Sequence, residues 1–298
     1  MFSAAAMNPI IPVWRYNFFD ELKCIDSLLH FHRVVSVDTE FPGFLIDTPR
    51  HANEFLTYSN LKNNVDATTL IQLGLTLSDE NGNIAGCWEF NFSFDAQTEV
   101  CTDDALEFLK DHGIDFDKLK NEGIDIRFFS DAFGHLLAKH RNLKWITFHG
   151  LYDMAHMLTM VTKNSLPHSS LEFTELIANV FGGYVFDIKY IATFCDGLCK
   201  GELGLEKLAK ILRVKRVGGA HQAGSDSLLS ATVFSKLKTV YGIDESRHVG
   251  LLYGIGNQIR KSVRPRVVYP SFTRYCRPKI YPMQGGNFGH LHILLHML

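Results

Sequence analysis

The most strongly patterned stretch of the chain is Arg33-Val34-Val35-Ser36-Val37-Asp38-Thr39-Glu40-Phe41-Pro42-Gly43. Three valines within its first five residues predict a buried strand, and Pro42-Gly43 ends it. Upstream, Phe18, Leu22, Ile25, Leu28 and Leu29 recur with the period of an amphipathic helix over residues 17–32. The first ten residues carry no pattern that commits them. Residues 45–66 are polar and irregular, which predicts a loop with a short helix. Thr68 to Ser78 alternates as a second strand, Asn81-Gly82 makes a hairpin turn, and Ala85 to Phe92 returns. A three-stranded antiparallel meander is therefore expected.

Beyond it the period changes to that of helices. Residues 95–125 hold ten acidic side chains against three lysines, with Ala105, Leu106 and Leu109 at helical spacing, a pattern that reads as a solvated helical face. Phe128 to His140 continues as helix, Leu143 to Phe148 reads as a buried strand, and Leu151 to Leu158 as the helix that follows it. A further helix and the strand Tyr184–Ile188 occupy residues 171–191, and a short helix covers 204–214. His221-Gln222-Ala223-Gly224-Ser225-Asp226 then opens a helix from Ser227 to Lys238. Strands and helices alternating after a meander predict an α/β fold, a mixed sheet flanked by helices.

Composition narrows the class. Of 298 residues, 46% are hydrophobic and 21% charged, as in ordinary globular proteins. No apolar run reaches the roughly 18 residues of a membrane span, and no secretory leader is expected. The six cysteines lack the spacing of a zinc site, so free thiols and an intracellular location are expected. The net charge of −2 is unevenly spread: residues 1–245 hold 22 basic against 32 acidic side chains, and the remainder holds eight basic and no acidic ones. Residues 12–260 read as one domain. Residues 261–298, with Arg264-Pro265-Arg266, Tyr269-Pro270 and Arg277-Pro278, read as a disordered basic tail.

The chemistry begins at Asp38 and Glu40. Side chains on a strand repeat every second residue, so both carboxylates leave one face. Like charges that close repel unless a cation lies between them, and hard divalent ions prefer oxygen ligands. Asp153 stands in the first turn of a helix entered from a strand, and His221 and Asp226 flank the start of a late helix; each alone would serve equally as a cap or loop residue.

Taken together, Asp38-x-Glu40, Asp153 and His221-x4-Asp226 occur in an order that resembles the DEDD superfamily of 3′→5′ exonucleases, in the subgroup whose fifth residue is histidine. Longer matches are Val37–Gly43, Ile71-Gln72-Leu73-Gly74-Leu75, Val185-Phe186-Asp187-Ile188-Lys189-Tyr190, His221 to Leu229, and Gly250-Leu251-Leu252-Tyr253-Gly254. These resemble the CAF/POP-type deadenylase subunit of the CCR–NOT complex, over roughly residues 12–256. The resemblance implies a ribonuclease H-like fold and removal of 5′-AMP from the 3′ end of poly(A) RNA. It also implies two divalent ions, Mg²⁺ or Mn²⁺, held by Asp38, Glu40, Asp153 and Asp226, with His221 taking the proton of the attacking water. Expected partners are poly(A) RNA, the NOT scaffold and a second deadenylase of the CCR type, in cytoplasm and nucleus, with no membrane.

One departure stands at the third carboxylate, where family members commonly carry Ser-Gly-Tyr-Asp. This chain has His149-Gly150-Leu151-Tyr152-Asp153. The alternatives are a general single-strand 3′ exonuclease, or a catalytically weak scaffold subunit that bridges other members of the complex. Retention of all five site residues argues against the scaffold.

Overall fold

In a computed structural model, which describes residues 10–260, the valine-rich stretch is an inner strand of a six-stranded sheet. The elements in chain order are β1 (Ile10–Val13), α1 (Phe18–Leu28), β2 (Val34–Glu40), α2 (Glu54–Ala67), β3 (Gln72–Ser78), β4 (Ile84–Asn91), α3 (Asp103–Asp111) and α4 (Phe116–Glu122). They continue as α5 (Ile126–Lys139), β5 (Lys144–Thr147), α6 (Leu151–Thr162), α7 (Ser170–Val180), β6 (Val185–Asp187), α8 (Ile188–Ala192), α9 (Leu205–Ile211) and α10 (Ala223–Tyr241). The sheet order is β1-β4-β3-β2-β5-β6. The expected meander is β2-β3-β4, antiparallel throughout, while β1, β5 and β6 join in parallel. This is the mixed α/β sheet expected from the sequence.

Alternation along β2 sorts the two faces. Val35 and Val37 enter the larger core, shared with α1, α2, α5, α6 and α7, while Val34 enters a second core with α8, α9 and α10. Asp38 and Glu40 continue the Val34–Ser36 face, so they emerge on the side covered by α10. The small residues Gly224, Ser227 and Ala231, all buried, let α10 lie close on the sheet. A Cβ on Gly74 of β3 would stand 1.8 Å from the Ala223 carbonyl oxygen, so only glycine admits the helix there.

Four expectations change. Ile10–Val13, at the end of the unpatterned N-terminus, is an edge strand; four residues with a proline show too little alternation to read. The short helix within 45–66 is instead the 14-residue α2, whose polar Asn60 and Asn64 are buried because each has hydrogen-bond partners. The last strand ends at Asp187, where Ile188 starts α8. The late helix starts at Ala223, four residues early, leaving His221 outside it and Asp226 in its first turn. Residues 1–9 and the tail at 261–298 lie outside the described residues.

Candidate active site

β2 delivers Asp38 and Glu40 at its C-terminal end, half-buried, opposite Gly74 and Gln72 of β3. Asp153 arrives from the first turn of α6, 7% exposed, and its Oδ1 accepts a 2.5 Å hydrogen bond from Thr39 Oγ1, the residue between the two strand carboxylates. Asp226, 8% exposed, comes from the first turn of α10. His221 precedes that helix in the left-handed region, with φ of 57°. Its backbone N–H donates to Asp226 Oδ2 at 2.9 Å. All five residues line one open cleft of about 1350 Å³.

Electrostatically the cluster is overloaded with negative charge. Asp38 is raised well above the usual carboxylate range, first by burial and then by Asp153, Asp226 and Glu40, against the pull of Arg216. Burial, followed by Asp226, Asp153 and Glu89, pushes Glu40 up to about 8. Asp153 rises to about 7 through burial, although the Thr39 hydrogen bond opposes it. His221 goes the other way: burial, His112 and Arg216 lower it while Asp226 resists.

The structure adds residues that pattern reasoning had not singled out. Asp187, fully buried at the end of β6, accepts hydrogen bonds from the backbone N–H groups of His149, Gly150, Lys189, Tyr190 and Tyr253. Those bonds shape the turn into α6 that carries Asp153, including the unusual His149-Gly150. Its place in the Val185–Tyr190 match was the only sequence signal. Arg216 reaches Asp226 Oδ1 at 2.5 Å and Glu206 Oε2 at 2.8 Å. Glu89 and Gln72 take the Gly224 and Ala223 N–H groups at the start of α10, at 3.1 and 3.3 Å.

A CAF1 family ribonuclease model matches residues 13–132 and 127–234, which spans most of the chain and all five site residues. This chain belongs to the CAF1 ribonuclease family. An Arabidopsis thaliana relative, a probable CCR4-associated factor 1 homolog 5, is 43% identical over 76% of this chain and 81% of its own. The poly(A) ribonuclease pop2 of Schizosaccharomyces pombe is 36% identical over 85% of this chain and 77% of its own. Among solved structures, that of S. pombe Pop2p in a Mg²⁺- and Mn²⁺-bound form superimposes with a TM-score of 0.76 at 36% identity, covering 83% of this chain and all of that one. This chain also superimposes on a chain of the structure of the yeast NOT1 MIF4G domain co-crystallized with CAF1, with a TM-score of 0.70 at 28% identity, covering 85% of this chain and all of that one.

This CAF1 family chain has a donor set that suits divalent metal. Oxygen ligands dominate it, one arginine faces four carboxylates, and single ligand atoms of Glu40, His221 and Asp226 lie within 4.8 Å of one another. Aromatic side chains border the carboxylates. Phe41 stacks on Tyr152 at 5.4 Å and 12°, and the half-exposed Phe44 meets both rings edge-on at 5.2 and 5.0 Å. Asn64 supports that wall: its Oδ1 accepts from the Leu45 and Ile46 N–H groups and its Nδ2 donates to Tyr152 Oη at 3.0 Å.

Proposed function

We propose that this chain is a 3′→5′ exoribonuclease that shortens poly(A) tails, releasing 5′-AMP, as the catalytic subunit of a CCR–NOT-type complex. The observation that carries this reading is the convergence of Asp38, Glu40, Asp153 and Asp226 with His221 on one cleft, in a chain of the CAF1 family. Two divalent cations held by the four carboxylates would supply Lewis acidity toward the scissile phosphate and its leaving oxygen. Asp38, Glu40, Asp153 and Asp226 would hold the cations, with Thr39 keeping Asp153 oriented through its hydroxyl.

His221, lowered from its ordinary value, is neutral at physiological pH and stands exposed at the cleft, so it takes the proton of the attacking water. Phe44 offers an exposed ring face on which the terminal base can stack, a sequence-tolerant contact. Docking to the NOT scaffold is supported by the structural likeness to CAF1 crystallized with the NOT1 MIF4G domain. A CCR-type second deadenylase remains part of the proposal through family membership alone.

The test is incubation of the chain with Mg²⁺ or Mn²⁺ and 5′-labelled oligo(A), oligo(U) and oligo(dA) with free 3′ hydroxyls, following length and nucleotide products. Oligo(A) RNA is expected to shorten fastest with 5′-AMP released. Equal rates on all three would make it a general single-strand exonuclease, and no shortening with either metal would overturn the nuclease reading.

A further inference from the structure

His221 has little to orient it through hydrogen bonds. Its ring is exposed, and neither ring nitrogen bonds a protein group among the described residues. A histidine that moves protons ordinarily has its second nitrogen held by a carboxylate or carbonyl, which sets both tautomer and direction. Here two rings from the end of α3 stand against the imidazole instead. The Phe108 centroid lies 4.8 Å from that of His221 at 68°, and the His112 centroid 4.7 Å away at 81°, both edge-on.

These two rings are themselves held. They pack on each other at 4.2 Å, and His112 Nδ1 lies 2.7 Å from the Phe108 carbonyl oxygen. A carbonyl only accepts, so Nδ1 carries the hydrogen and the ring plane is set by its own helix. A side chain closes the connection: the Nε2 amide of Gln222, the residue next in chain to His221, donates to the His112 backbone carbonyl at 3.0 Å. Gly113, with φ of 93°, leaves room for that amide, since a Cβ there would sit 3.1 Å from Gln222 Nε2. The acidic segment that reads as a solvated face therefore presents the C-terminal end of α3 to the active site.

We propose that Phe108 and His112 form a ring corner that orients His221 for proton transfer, making His112 a positioning residue; this rests on the nuclease reading above. The corner acts by edge-to-face packing, which a ring of similar shape can replace. His112 is only half-buried, so its side chain can be changed without emptying a core.

The experiment uses the full chain as wild type, His112→Ala, His112→Phe and Phe108→Leu, with melting checked for each. Two readouts are taken: steady-state cleavage of oligo(A) with a metal titration, and the His221 imidazole signals in ¹H–¹⁵N spectra of the RNA-free protein. His112→Ala is expected to lower kcat about 10-fold, with KM and metal activation unchanged. Its His221 signals should broaden, and His112→Phe should restore both rate and signal. Phe108→Leu should behave as His112→Ala does.

Wild-type kcat in His112→Ala, a His112→Phe no better than His112→Ala, or a lost rate with unchanged imidazole signals would each overturn the corner. Should the wild type cut no RNA, the nuclease reading fails by itself. The imidazole spectra would still decide whether α3 orients the ring.

Discussion

Single buried polar groups set the geometry of this site. Asp187 satisfies five backbone N–H groups from three separate segments, so its loss leaves several of them unpaired in the interior. Asp187→Ala is expected to destabilise the chain by about 2–4 kcal/mol and to cut activity further by releasing the turn that carries Asp153. Urea denaturation beside an oligo(A) assay checks this, and a wild-type midpoint would mean that the turn holds itself. The site residues should separate by role. Asp38→Ala removes one of the carboxylates proposed to hold metal and should abolish turnover. His221→Ala keeps the carboxylates and should lose about 10²–10⁴ in rate, part of which returns as pH is raised and hydroxide replaces the missing acceptor. A His221→Ala variant as fast as wild type would reduce the histidine to a loop residue.

At the scale of elements, everything depends on how closely α10 can approach the sheet. Its first turns are docked by Thr76 Oγ1 against Ser227 Oγ at 2.9 Å and by Glu89 and Gln72 at the helix start. Gly74 makes the approach possible, because Asp38 pairs across the ladder with it and the Ala223 carbonyl occupies the space above it. Gly74→Ala would push a backbone atom rather than a flexible side chain, so α10 must shift and carry Asp226 away from Asp38. We expect a loss of about 1–3 kcal/mol from overpacking and a larger proportional loss of cleavage. Thermal melting and single-turnover rates would show it, and unchanged rates would mean that the sheet absorbs the methyl group. The same logic explains α2, whose polar stretch reads in the sequence as a loop with only a short helix. Asn64, 1% exposed, is buried because the 44–46 segment folds back to bond it.

For the molecule as a whole, the carboxylate cluster sets how stability depends on pH. Glu40 and Asp153 titrate at about 8 and about 7 in the folded chain, well above their ordinary 4.5 and 3.8. Between those values the folded state holds protons that the unfolded state has released, so stability falls as pH rises. Several histidines lowered by burial (His149, His156, His221 and His248) oppose this below about pH 7, so the comparison is made above it: the metal-free protein should melt lower at pH 8 than at pH 7. Mg²⁺ or Mn²⁺, binding the folded and deprotonated site, should raise the melting temperature more at pH 8. Asp38→Asn should melt higher than wild type in EDTA while losing catalysis, the trade expected when like charges are stored for function. Melting curves at both pH values with and without metal test this; a metal-free protein that is more stable at pH 8 would show that the cluster is already neutralised. Among the described residues no helix is long and apolar enough to cross a membrane.

What the sequence determined by itself was local. The valine run and its alternation put Asp38 and Glu40 on one face, because side-chain direction on a strand follows from backbone period alone. The strand-to-helix passage at Thr147–Leu151 likewise placed Asp153 near a helix start. Which faces meet was a different matter. The closeness of Gly74 to Ala223, the bonds from Asp187 to His149, Gly150 and Tyr253, and the approach of His112 to His221 join residues far apart in the chain, and no local period encodes such separations. The β1 edge strand and the buried asparagine of α2 were hidden for the same reason. A four-residue strand and a polar helix become favourable only once distant partners accept their hydrogen bonds, and those partners are supplied by the tertiary fold.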